Sequence, residues 1–269
     1  MIAPAPDRPL STAQVGTLSP EMLERFGHDP RARFAANLAL THRRIGAACE
    51  RAERSIDSVR LLPVTKTVPA EVLRLAWQAG VSDFGENKLQ EARDKAEQLQ
   101  DLPIRWCMIG HLQTNKVKYL TRLADEFHAL DSLKLAEALD RRLETDDRQM
   151  DVYVQVNTSN EDSKFGLSPG ALLDFISGLK AFPRLKPRGL MTLAVFSDDP
   201  DRVRPCFTLL RELRDRARQV DERIAGLSMG MSGDYELAVQ EGATVVRVGQ
   251  TLFGPRPTSN ADYWPGATG

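Results

Sequence analysis

Eight short apolar runs, separated by stretches of helical periodicity, succeed one another between residues 60 and 248, and this alternation constrains the fold more than any other feature of the chain. The runs lie at 60–65, 81–84, 104–109, 127–130, 152–157, 185–190, 227–229 and 244–248. Between them the spacing predicts helices over 69–79, 87–99, 116–123, 133–144, 169–180, 200–220 and 235–240. Over 200–220, for example, Phe207, Leu210, Leu213, Ala217 and Val220 form one stripe. Strands that alternate strictly with helices are joined by right-handed crossovers and pair in parallel. Eight such units in about 200 residues favour a closed (β/α)8 TIM-type barrel, an α/β fold, over an open doubly wound sheet.

The region before the first run divides in two. Residues 1–30 hold five of the 16 prolines without sustained periodicity, and read as a flexible proline-rich extension. From Arg31, Phe34, Leu38, Ile45, Cys49 and Ala52 recur at helical steps and predict an extra N-terminal helix. No second linker follows, so residues 31–258 are expected to form one barrel domain, with 259–269 a short C-terminal tail.

The 36 Lys and Arg against 37 Asp and Glu leave a net charge of −1, which excludes bulk attraction to nucleic acid or an acidic membrane as the main activity. The arginines of 200–220 are interleaved with Asp201, Glu212 and Asp215 and read as solvent-facing. No apolar run approaches the roughly 18 residues of a spanning helix, and no secretory signal opens the chain, so a cytoplasmic location is expected. The three cysteines, Cys49, Cys107 and Cys206, lack metal-ligand spacing and read as reduced thiols, Cys107 as core.

In such barrels chemistry sits where the strands end. Here the strands run into Lys66; Gly85, Glu86 and Asn87; Gly110, His111 and Gln113; Asp131 and Ser132; Asn157; Met191 and Thr192; Met231, Ser232 and Gly233; and Gly249. Lys66 shares the parity of Leu62 and Val64, which directs its amine to the barrel mouth. A lysine there loses solvation, and its free amine attacks an aldehyde to give an imine; the plain alternative is an exposed lysine at a strand end. The segment G-M-S-G-D at 230–234 and the glycine closing V-R-V-G-Q at 246–250 occupy the two loops that often bind phosphate, through Ser232 and the amides near Gly233, Gly249 and Gln250. Arg247 shares parity with Val245 and Gly249 and should point inward. Two readings stand for it: an ion pair with an interior carboxylate such as Glu86 or Asp131, or donation to an unprotonated heteroaromatic nitrogen of a cofactor. His111 is a structural residue or a general acid–base, and Lys116 with Lys118 a solvated face or a small anion patch.

Seven motifs in order carry a family resemblance: V-T-K-T at 64–67, F-G-E-N at 84–87, I-G-H-L-Q-T-N-K at 109–116, S-K-F-G-L at 163–167, R-G-L-M-T at 188–192, L-S-M-G-M-S-G-D at 227–234 and V-R-V-G at 246–249. Together they resemble the pyridoxal phosphate homeostasis protein family, single-domain relatives of the alanine racemase barrel. The resemblance implies that Lys66 holds pyridoxal 5′-phosphate as an internal aldimine and that Arg247 faces the pyridine nitrogen. It further implies that Ser232, Gly233, Gly249 and the amide of Gln250 hold the phosphate, with Asn87 and Met231 lining the ring. Relatives often carry a small hydroxyl residue where this chain has Gln250, so only a backbone contact is expected there. An unprotonated pyridine is a weak electron sink, which disfavours transamination. Racemisation needs a second base, a tyrosine from a separate domain, and none of the four tyrosines sits in such a domain. The expectation is a monomeric carrier that passes its cofactor to apoenzymes. An amino-acid racemase is the alternative, and a lyase forming its Schiff base directly with a sugar phosphate a third.

Overall fold

The computed structural model describes residues 18–161 and 164–255. Two helices precede the first strand, α1 (Pro20–Phe26) and α2 (Pro30–Arg51). Each opens with proline behind a capping side chain: Ser19 Oγ accepts from the Met22 amide at 3.2 Å, and Asp29 Oδ1 from the Ala32 amide at 3.0 Å. This corrects the expectation of a flexible extension through residue 30. Pro20 and Pro30 are helix starters, because the ring presets φ and the missing N–H has no partner in a first turn anyway. Phe26 is buried and packs edge-on against Phe34. Residues 1–17 and the expected tail at 259–269 lie outside the described residues.

The alternating units follow: β1 (Arg60–Pro63), α3 (Ala70–Gln78), β2 (Asp83–Glu86), α4 (Leu89–Gln98), β3 (Arg105–Met108), α5 (Val117–Leu123), β4 (Glu126–Leu130), α6 (Leu133–Thr145), β5 (Met150–Gln155), α7 (Leu172–Leu179), β6 (Leu185–Met191), α8 (Pro200–Ala217), β7 (Gly226–Ser228), α9 (Tyr235–Gln240), β8 (Val245–Val248) and a last short helix, α10 (Gln250–Phe253). The strands pair in parallel in the order β1-β8-β7-β6-β5-β4-β3-β2. A bridge from Val64 to Gly85, with the Thr65 amide donating to Gly85 O at 2.9 Å, brings β1 to β2 and closes the ring. The expected (β/α)8 barrel is the observed fold.

Between ring and solvent lies an apolar layer. On α6, Leu135, Ala136, Leu139 and Leu143 are buried, one stripe of an amphipathic helix facing the strands. The stripe expected on α8 is buried from Phe207 to Ala217, and Cys107 is core, as its neighbours suggested. Among the described residues no helix is long and apolar enough to cross a membrane. Two strand boundaries differ from the sequence reading in ways that matter. Val81 is consumed by the end of α3, its amide donating to Ala76 O, so β2 starts later and includes Glu86. The fourth strand starts one residue earlier, at Glu126, and every residue of it is buried.

That extra residue builds the floor of the barrel. Arg60 Nη2 donates to both oxygens of Glu126 at 2.7 and 2.8 Å, Arg60 Nη1 lies 3.3 Å from Asp83, and Arg105 reaches Glu126 at 3.0 Å. His128 Nε2 lies 2.8 Å from the same carboxylate. Burial alone would raise the Glu126 pKa, but the hydrogen bonds from His128 and Arg60 and the charge of Arg60 outweigh it and hold the group well below the usual carboxylate range. A carboxyl depressed in the folded state contributes stability that is present above its unfolded value, 4.5, and lost as pH falls. Glu126→Gln should therefore lower the unfolding free energy at neutral pH by about 3–5 kcal/mol and flatten the loss of stability on acidification, as urea titrations at a series of pH values would measure.

Candidate functional site

The inward parity of β1 continues past its end, so that Val64 and then Lys66 reach the mouth. They line a cavity of about 430 Å³. All eight residues singled out from the sequence lie around it: Lys66, Asn87, Met231, Ser232, Gly233, Arg247, Gly249 and Gln250. They come from both ends of the chain because β1 pairs with β8, Leu62 opposite Arg247. His111 is also at this cavity, its ring stacked on Phe165 with centroids 4.0 Å apart and its Nδ1 3.6 Å from Asp131. Lys116 is exposed in a 3-10 turn away from the cavity.

Arg247 is 2% exposed. Its Nη1 donates to Ser228 Oγ at 2.8 Å and its Nη2 to the Thr192 carbonyl at 2.7 Å. Neither acceptor is charged, and of the two readings of Arg247 the ion pair with Glu86 or Asp131 does not form. Glu86 Oε1 is taken by Lys95 Nζ and Thr65 Oγ1, both at 2.6 Å, while Asp131 faces His111. Burial lowers the Arg247 pKa to about 10, against the opposing charge of Asp234, so the guanidinium stays protonated at neutral pH. Two hydrogen bonds use two of its five N–H donors, on a group that also lines the cavity. A buried cation whose acceptors among the described residues are neutral is suited to an electron-rich partner from a ligand.

Behind Arg247 the hydrogen bonds have a fixed direction. Ser228 Oγ accepts from Arg247, so its single proton goes to the other neighbour, His128 Nδ1, at 2.9 Å. That nitrogen is then unprotonated, and Nε2–H donates to Glu126. Burial lowers the His128 pKa, in keeping with a neutral ring. The polarity runs from Arg247 through Ser228 and His128 to Glu126.

At the opposite wall, Ser232 Oγ accepts from the Gly249 amide at 3.2 Å and the Thr251 amide at 3.5 Å, tying the loop after β7 to the start of α10. Asp234 braces the same loop by accepting from the Met231 amide. Asn87 is set by a backbone crossing: a Cβ on Gly110 would come within 2.1 Å of Asn87 O, so only glycine admits the loop after β3 at this place. The Asn87 Oδ1 atom is buried without a hydrogen-bond partner among the described residues, a second polar group at the cavity suited to a ligand.

Sequence reasoning missed three groups. The first is the pair His128 and Ser228, which lie inside the expected runs at 127–130 and 227–229; the carboxylate that completes their chain, Glu126, falls one residue before the expected fourth strand. The second is Lys95, which is buried and bridges Glu86, Glu91 and the Thr65 carbonyl next to Lys66. Burial pushes Glu86 up to about 7 against the charge of Lys95. The i, i+4 pair Glu91–Lys95 was its visible trace. The third is Phe165 and Phe196, exposed aromatics that line the mouth, legible only once the loops are placed.

Residues 40–257 match the family described as alanine racemase, N-terminal domain. A pyridoxal phosphate homeostasis protein of Aquifex aeolicus is 44% identical over 214 residues, 79% of this chain and 94% of that protein. One from Pseudomonas aeruginosa is 40% identical over 83% of this chain and 96% of its own length. The chain belongs to the pyridoxal phosphate homeostasis protein family. Among solved structures, PipY of Synechococcus elongatus with PLP bound superposes with a TM-score of 0.70 at 35% identity, covering 82% of this chain and 100% of that one. A protein from Bifidobacterium adolescentis gives 0.77 at 31% identity, covering 88% and 98%. Alanine racemase of Corynebacterium glutamicum shares the fold, at 0.64 and 17% identity over 85% of this chain and 63% of that one.

The direction of the buried chain is measurable without a ligand. Long-range 15N–1H correlation should show His128 as the neutral Nε2–H tautomer at neutral pH. Ser228→Ala removes a partner from both Arg247 and His128 and should lower stability by about 1–3 kcal/mol in urea unfolding.

Proposed function

We propose that this protein binds pyridoxal 5′-phosphate in the barrel mouth, linked covalently to Lys66, and serves vitamin B6 homeostasis as a carrier rather than as an enzyme of high turnover. The observation that carries this reading is the placement of a lysine amine and a buried guanidinium with neutral acceptors on one cavity of about 430 Å³. The donor set fits the group. Lys66 would hold the aldehyde end of the group through its amine. Arg247, which keeps its own proton, would donate to the pyridine nitrogen and favour that nitrogen unprotonated. Ser232, Gly233, Gly249 and the Gln250 amide would hold the phosphate, and Asn87 and Met231 would line the ring. When bound, the cofactor supplies a reactive carbonyl and an electron sink, the latter weak without a pyridinium.

The tyrosines support a carrier over a racemase. Tyr119, Tyr153 and Tyr235 do not line the cavity, and Tyr263 lies outside the described residues. His111 is near enough to serve as a base, yet its ring is engaged by Phe165 and Asp131. With Lys66 as the only covalent anchor, release to apoenzymes needs reversal of one bond, and the protein acts as a monomer with no role for nucleic acid or membrane.

Purified protein loaded with pyridoxal 5′-phosphate should show a visible absorption band that borohydride bleaches, leaving a pyridoxyl mass on the Lys66 peptide. Lys66→Ala should lose that mass while its unfolding free energy changes by less than about 0.5 kcal/mol, since the residue belongs to the mouth. A bleached band with the mass on another lysine would overturn the assignment. Arg247→Met should weaken binding and move the absorption band more than it lowers stability.

A further inference from the structure

Thr67, directly after Lys66, has a φ of +64°. A β-branched residue in left-handed backbone is an outlier, and such a conformation persists only where its surroundings over-determine it. Three hydrogen bonds do so here. The Thr67 amide donates to Glu91 Oε1 at 2.5 Å. Arg25 of α1 donates twice, from Nη1 to the Thr67 carbonyl at 2.7 Å and from Nη2 to Thr67 Oγ1 at 3.1 Å. One of the two braces therefore comes from a helix outside the barrel and outside residues 40–257, the part of the chain that matches the family.

The same helix is joined, through α2, to the end of the neighbouring strand β8. Phe26 is buried edge-on to Phe34 at 6.2 Å, and Phe34 is edge-on to Phe253 of α10 at 5.4 Å. α10 starts at Gln250, where the phosphate is placed by the reading above. Arg25, Lys66, Thr67, Gly249 and Gln250 all border one void of about 10 Å³, room for no more than about one water. The helix thus touches the Lys66 segment directly through Arg25, and Phe34 of α2 joins it to the segment that would hold the phosphate.

We propose that α1 is a clasp on the cofactor site, with Arg25 a positioning residue that keeps the Lys66 segment in its strained form and slows release of pyridoxal 5′-phosphate. The proposal rests on the binding reading above. Its physical content is preorganisation: with Thr67 fixed, the amine stays in place to re-form its bond after each opening; with Thr67 free, the segment relaxes away from its left-handed turn.

The test compares wild type with Arg25→Ala, Arg25→Lys and Phe26→Ala in the full chain. Amide hydrogen exchange at Thr67 and Val68 in cofactor-free protein, and the rate of loss of bound pyridoxal 5′-phosphate on dilution, are both measured. Arg25→Ala removes both hydrogen bonds to Thr67 and should accelerate each by about tenfold or more. Arg25→Lys, which keeps a donor near the carbonyl, should fall between, and Phe26→Ala should reproduce Arg25→Ala by undocking the helix. Unchanged exchange in Arg25→Ala would overturn the clasp, and faster exchange with unchanged release would overturn its role in retention. If the wild type takes up no pyridoxal 5′-phosphate, the binding reading fails, and the brace on Thr67 is then judged by exchange alone.

Discussion

Parallel pairing round a closed ring is the constraint on which the mouth depends. In a parallel barrel every strand delivers its last residues to the same rim, and the closing contacts leave no edge to be covered. Here closure runs through one bridge, Val64 to Gly85, and through the pairing of β1 with β8. Those contacts make neighbours of Lys66 and Arg247, which stand near opposite ends of the domain. Neither residue would face the cavity outside that geometry.

The electrostatics of the interior are divided between two levels. At the floor, both signs are present, and Glu126 receives Arg60, Arg105 and His128. Higher up, Arg247 has only a hydroxyl and a carbonyl. Lysine would be a poor choice at that place, because an ammonium is strongly hydrated and gives up its proton when buried. A guanidinium is weakly hydrated and retains its charge even with its pKa lowered to about 10. The fold thus tolerates a standing positive charge facing a cavity, which sets what kind of molecule is welcome there. Aromatic and apolar groups at the rim, Phe165 and Phe196 among them, give the same space its hydrophobic share.

Much of this was legible in the sequence, for identifiable reasons. Strand–helix alternation has two distinct periods, so the number and order of elements survived errors at their edges. The inward direction of Lys66 and Arg247 is legible from parity, since side chains alternate across a β-strand, while their roles rest on the neighbouring loops and the family resemblance. Parity said which way Arg247 points but not what meets it; the carboxylates suggested for it were already engaged, Glu86 by Lys95 and Asp131 by His111, pairings that depend on helices and loops packed from elsewhere. Pro20 and Pro30 were misread because proline marks helix starts as well as loops, and only the Ser and Asp before them tell the two apart. The relay through His128 is not legible because the apolar run at 127–130 leaves out the charged Glu126, which the structure makes the first residue of a buried strand.

The one-way run of donors from Arg247 to Glu126 joins the top of the barrel to its underside. Four side chains from three strands share a single orientation of their protons, so none can reverse alone. The underside, where Arg60 and Arg105 meet solvent, is thereby tied to the guanidinium through an unbroken line of side-chain hydrogen bonds. A substitution at the floor of this barrel is therefore a substitution in the same hydrogen-bonded unit as Arg247, although the two ends stand on different levels of the fold.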